Sequence, residues 1–71
     1  MKNTSYSVIV NGSPLNCYSV MSLKDILIYL NFNIDTVIVE YNQEIVNCSQ
    51  FDQIYVNQND CIEVITIVGG G

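Results

Sequence analysis

An α+β fold, with one main helix packed on one face of a mixed four- to five-stranded sheet, is what this 71-residue sequence predicts. Three observations predict it. Only one stretch, Leu23 to Leu30, carries apolar residues at helical spacing. The other apolar residues fall into short alternating runs of the strand kind. About half the chain is apolar, enough for one core in a chain near the lower size at which a single core holds a fold unaided. A lone helix and a lone sheet each have an apolar surface to bury, and each is the other's only available cover.

The elements follow in order. Tyr6 to Val10 reads as a first strand with Tyr6, Val8 and Val10 on one side. Asn11-Gly12 is a two-residue hairpin signal, because both residue types accept positive φ. Pro14 opens the return strand, which runs to Tyr18; a residue without an N–H belongs at a sheet edge. Ser22 caps the helix, its hydroxyl placed to accept from the N–H of Asp25, whose carboxylate suits the first turn. Leu23, Ile26, Leu27 and Leu30 form one stripe at i, i+3, i+4 and i+7, with Ile28 and Tyr29 facing away. The helix is expected to end near Asn31, and Asn33 to Asp35 to be loop.

Val37 to Tyr41 reads as a third strand, Asn42-Gln43 as a turn, and Glu44 to Val46 as a short fourth strand. Asn47 to Asn59 is irregular, tied down by Phe51, Ile54 and Val56. Cys61 to Val68 is strongly β-prone and the most apolar strand. Ile62, Val64, Thr66 and Val68 share one face; Glu63, Ile65 and Ile67 share the other. Burial places this last strand at the sheet centre beside the first. That order of elements is the β-grasp, or ubiquitin-like, fold. The expected organisation is a single domain over 1–68 and a flexible glycine tail over 69–71, since glycine has the most backbone freedom to lose on packing.

Composition narrows the function classes. Lys2 and Lys24 stand against seven carboxylates, and there is no arginine. A nucleic-acid binder needs cations to replace counterions along the phosphates, so that class is excluded. An acidic domain suits a basic protein partner instead. No apolar run approaches the ~20 residues that span a bilayer, and Met1 to Tyr6 lacks a signal core. The expectation is a soluble protein, off the membrane, acting where it is made. Cys17, Cys48 and Cys61 are odd in number, scattered and without histidine, so neither a metal site nor a disulfide scaffold is expected. Cys17 and Cys61 read as packing thiols in a reducing compartment.

The tail carries the chemistry. Gly69, Gly70 and Gly71 lack Cβ atoms, which suits a segment that enters a narrow tunnel and a carboxylate attacked at its carbonyl carbon. The run Asp60-Cys61-Ile62-Glu63-Val64-Ile65-Thr66-Ile67-Val68-Gly69-Gly70-Gly71 resembles the ending of the ThiS family, the sulfur carriers of thiamine (thiazole) biosynthesis. Asn11-Gly12 and Tyr41-Asn42-Gln43-Glu44-Ile45-Val46 resemble the matching parts of that family. The resemblance covers essentially the whole chain and is most specific in its last dozen residues.

The resemblance implies a route. A ubiquitin-activating-type enzyme adenylates the Gly71 carboxylate with ATP and Mg. Sulfur from a cysteine desulfurase persulfide replaces AMP and leaves a thiocarboxylate. Thiazole synthase then accepts the sulfur. Val68, Gly69 and Gly70 would lie in the partner's tunnel. The carrier itself would bind no cofactor, be monomeric when free, and act in the cytoplasm, or in the plastid stroma if organelle-encoded. It would be a protein cosubstrate and not an enzyme, in keeping with a chain that has no histidine and no nucleophile–base arrangement. Two features depart from the family pattern. Asn59-Asp60 stands where Gly-Asp is common, though asparagine tolerates the left-handed conformation such a turn needs. Asn47-Cys48-Ser49 offers no basic residue after the fourth strand.

Ile65 and Ile67, with Ile9 and Ile38 on neighbouring strands, are expected to form an apolar docking patch near the tail, edged by Glu40 and Glu63. Three alternatives stay open at the level of sequence: a molybdopterin-synthase small-subunit-like sulfur carrier, a ubiquitin-like protein modifier joined through Gly71, and an interaction module whose tail is idle.

Overall fold

The computed structural model describes residues 5–67. Strand β1 spans Tyr6–Val10, β2 Ser13–Cys17, helix α1 Leu23–Tyr29, β3 Val37–Tyr41, β4 Glu44–Val46 and β5 Cys61–Thr66. The strands form one mixed sheet in the order β2-β1-β5-β3-β4, so the last strand holds the centre. It runs parallel to β1 and antiparallel to β3. This is the β-grasp arrangement read from the sequence.

The helix starts where its cap dictates. Ser22 Oγ accepts from the Asp25 N–H at 3.1 Å, and the Asp25 carboxylate accepts from the Ser22 N–H at 2.9 Å, so two otherwise orphaned donors are satisfied reciprocally. Leu30 caps the other end and Asn31 turns out of the helix at φ 64°. Leu23, Ile26 and Leu27 are wholly buried against Val8, Val10, Val39, Ile62 and Val64, the inner face of the three central strands. Leu30 packs at the rim of this core, while Ile28 and Tyr29 face out.

The turns use residues that accept positive φ. Asn11 and Gly12 turn β1 into β2 at φ 49° and 82°. Asn42 and Gln43 do the same between β3 and β4, at 51° and 73°. Asn59 takes φ 71° before β5, so the asparagine does serve where a glycine is common. Pro14 lies on β2, which is an edge strand.

Four expectations are adjusted. Strand β2 begins at Ser13 and ends at Cys17, leaving Tyr18 exposed. Residues Ile34–Thr36 form a 3-10 turn, capped by Asn33 Oδ1, which accepts from the Asp35 N–H at 3.0 Å. Strand β5 ends at Thr66, and Val68 lies outside the described residues. Cys61 is exposed, not a packing thiol, because it shares the outward parity of Glu63 and Ile65. Cys17 is buried as expected.

Candidate functional site: the central strand and the outer sheet face

Strand β5 leads directly toward the glycine tail, and the fold holds it at both ends. At its start, the Asp60 carboxylate accepts from the Tyr41 hydroxyl, from Asn42 Nδ2 at 3.1 Å and from the Asn57 N–H at 2.7 Å. Asn42 also clamps the next residue: its Oδ1 accepts from the Cys61 N–H, and its N–H donates to the Cys61 carbonyl, each at 2.8 Å. Burial and the neighbouring Asp60 carboxylate push the Tyr41 hydroxyl up to about 12, so it stays a donor throughout the physiological range. At the other end, the Ile67 N–H donates to the Thr36 carbonyl at 2.7 Å.

The inner positions Ile62 and Val64 belong to the core. The outer positions make a different surface. Ile38 and Ile65 oppose each other across β3 and β5, and both are exposed. One rung away, Glu40 opposes Glu63. Directly opposite like charges on neighbouring strands destabilise a sheet. Lys24 is on α1, across the sheet, and Lys2 lies outside the described residues. Ile67 continues the exposed apolar run beyond the strand.

Ile9 stands apart from this group. Its neighbour on β5 is Cys61, two outward positions from Ile65, or about 13 Å along the strand. Ile45 belongs with it instead: it is 71% exposed and lies opposite Glu40 on β4. Sequence reading missed Ile45, although a two-residue turn at Asn42-Gln43 forces that register. The remaining named positions, Val68, Gly69, Gly70 and Gly71, lie outside the described residues.

Among the described residues no group of three or more histidine, cysteine or carboxylate side chains could hold a metal ion. A depression between β2 and α1 is lined by Leu15, Cys17, Tyr18, Met21 and Tyr29. Burial raises the Cys17 thiol above its ordinary value, which disfavours the thiolate that sulfur chemistry would need. None of the described helices is long and apolar enough to cross a membrane.

The sequence model of the ThiS family matches residues 8–71, from the first strand through the last glycine. The chain belongs to the ThiS family. A solved member of similar structure is the thiamine biosynthesis protein (ThiS) of Geobacter metallireducens, at TM-score 0.78 and 28% identity, with 92% of this chain and 99% of that one covered. Membership carries a sulfur-carrier role in thiamine biosynthesis, and ThiS proteins are carriers, not enzymes. The proteins named ycf40 of Pyropia yezoensis and Porphyra purpurea are 44% and 41% identical to this chain over the full length of both. A thiazole synthase of Paramagnetospirillum magneticum contains a ThiS-like stretch, 34% identical over 64 residues; these are 90% of this chain but 20% of that protein.

Proposed function

We propose that this ThiS chain carries sulfur as a thiocarboxylate on Gly71 and delivers it to thiazole synthase. The single observation that carries this reading is the family match through Gly71, on a chain whose central strand is the last element before the glycines. A Gly71 carboxylate oxygen attacks the α-phosphorus of ATP, held with Mg on a ubiquitin-activating-type enzyme, and pyrophosphate leaves. A terminal persulfide sulfur, supplied by a cysteine desulfurase, displaces AMP at the carbonyl carbon. A second thiol, a cysteine of the partner, then attacks the sulfur of the acyl disulfide that is not bonded to the carbonyl; the S–S bond breaks, the thiocarboxylate leaves, and the two partner sulfurs remain as a disulfide.

Activation energy and nucleophile both come from partners, so the carrier needs no acid, base or metal of its own. Its contribution is recognition and reach. Ile38, Ile45, Ile65 and Ile67 supply apolar docking area, and Glu40 with Glu63 offers carboxylates to a basic partner, whose cations would relieve their mutual repulsion. Ile9 would touch the margin of that area. Val68, Gly69 and Gly70 thread the partner's tunnel. Thiazole synthases that contain a ThiS-like stretch in one chain support the synthase as the receiving partner. Likeness to ycf40 proteins of algae supports work in the plastid stroma.

The test is ATP–pyrophosphate exchange with the activating enzyme, using the full chain and a form lacking Gly71, beside thermal melts that confirm folding. Deletion places the new terminal carboxylate up to about 3.5 Å short of the nucleotide. The full chain should support exchange and the deleted form should not. Normal exchange by the folded, deleted form would show that the tail is not the working part.

A further inference from the structure

The two neighbours of β5 do not support it equally. Strand β3 pairs with it from Ile62 to Thr66, whereas β1 pairs only at Cys61 and Ile62. After Val10 the chain turns away: the Asn11 N–H makes one more bond, to the Ile62 carbonyl at 2.9 Å, and φ then becomes positive at Asn11 and Gly12. From Glu63 onward, no strand among the described residues lies on the β1 side of the tail-bearing strand.

The Asn11 side chain takes the vacant place. Its Oδ1 accepts from the Val64 N–H at 2.7 Å, and its Nδ2 donates to the Val64 carbonyl at 3.2 Å. A carboxamide has the same donor and acceptor as a peptide group, so these two bonds supply the rung that β1 would have made had it run on. The residue type is demanding. Glycine would turn as well but offers no side chain; aspartate accepts but, when ionised, cannot donate and sets a negative oxygen against the Val64 carbonyl.

We infer that Asn11 is a positioning residue for the tail: its carboxamide keeps β5 straight for one rung beyond β1 and so sets where and in which direction the chain leaves the body. The inference rests on the carrier reading above. Its leverage is geometric. Ile67 lies three positions beyond Val64, about 10 Å along the strand, so a tilt of about 10° at Val64 moves the point from which the tail departs by about 2 Å.

The experiment compares the full chain with N11G, which keeps the turn, and N11D, which keeps the turn and one acceptor. Amide hydrogen exchange is read by NMR, and KM and kcat for the chain are read in pyrophosphate exchange with the activating enzyme. In N11G, the Val64 and Ile67 amides should exchange about tenfold faster, while those of Val8 and Val10 stay within about twofold. KM should rise about tenfold with kcat nearly unchanged, because a threaded carboxylate meets the same nucleotide. In N11D, acidification should slow exchange at Ile67 relative to N11G at the same pH, since a protonated carboxyl regains a donor.

Lost protection at Val64 with Ile67 unaffected would reduce the carboxamide to a local bond and overturn the inference. Faster Ile67 exchange with an unchanged KM would overturn its link to the tail. Absence of any pyrophosphate exchange with the unaltered chain would instead sink the carrier reading, and the hydrogen-exchange arm would still decide whether Asn11 holds the strand.

Discussion

Removing one hydroxyl tests how the start of the tail-bearing strand is held. Tyr41 ends β3 and donates to the Asp60 carboxylate, the residue immediately before β5. Burial first, and Asp60 second, raise its ionisation from 10.0 to about 12. The folded-state value lies above the unfolded one, so the associated stability is fully present below pH 10 and is lost as pH rises toward 12. Two units correspond to about 2.7 kcal/mol at full weight. Tyr41 is only half-buried, so solvent screening lowers this to about 1–2 kcal/mol.

Tyr41→Phe keeps the ring and removes both the donor and the ionisation. Denaturant unfolding of the two forms at a series of pH values gives the difference in stability. Ionisation of the other tyrosines, the thiols and Lys24 is common to both forms and cancels. The unaltered chain should be the more stable at neutral pH, and its advantage should shrink by about 1–2 kcal/mol between pH 10 and 12. A difference that is flat across that window would refute the coupling of Tyr41 to Asp60. The Asp60 carboxylate keeps two donors, Asn42 Nδ2 and the Asn57 N–H, in the variant, so the strand start should survive.

Two further outcomes follow from burial and register. Leu27 is fully buried, so Leu27→Ala should cost about 2–5 kcal/mol and lower the melting point by more than 10 °C; an unchanged melt would mean that the helix does not face the sheet in this register. Glu63→Lys replaces the repulsion with Glu40 by attraction and should stabilise the fold by about 0.2–1 kcal/mol. The same change should raise KM for the chain in pyrophosphate exchange, because a basic partner would meet a cation. An unchanged KM would remove Glu63 from the docking surface.

How much of this was legible in the sequence depended on sequence separation. The helix was legible because its signals are local: a serine cap, an acid three residues on, and a stripe at Leu23, Ile26 and Leu27. The central place of β5 was legible because an apolar run of that length needs neighbours on both sides. Ile45 was legible in principle, since a two-residue turn fixes which residue opposes Glu40, and it was overlooked. Cys61 was misread because an apolar neighbourhood says nothing of parity; the alternation of Ile62 and Val64 was the better guide. The bonds from Asn11 to Val64 and from Tyr41 to Asp60 join residues 53 and 19 positions apart. Nothing local announces them. Asn11 looks like a turn residue, which it is, and its second task exists only once β1 and β5 lie side by side.

Strand β5 divides its duties by parity. Ile62 and Val64 face α1 and belong to the core, and any change there should register first as lost stability. Glu63 and Ile65 face away, in a row that leads to the tail. Folding alone gives no reason for two glutamates opposite each other, nor for Ile38 and Ile65 paired in the open. An unconstrained outer face would place threonines or mixed charges at those positions. Both features cost the free domain something, and each has one member on the strand that leads to the glycines. On the carrier reading proposed above, with activation and nucleophile supplied by partners, the chain has two means of being specific: where its partners dock and where its tail then arrives. On that reading the outward residues of β5 would serve the first, and the bonds that hold its two ends would serve the second.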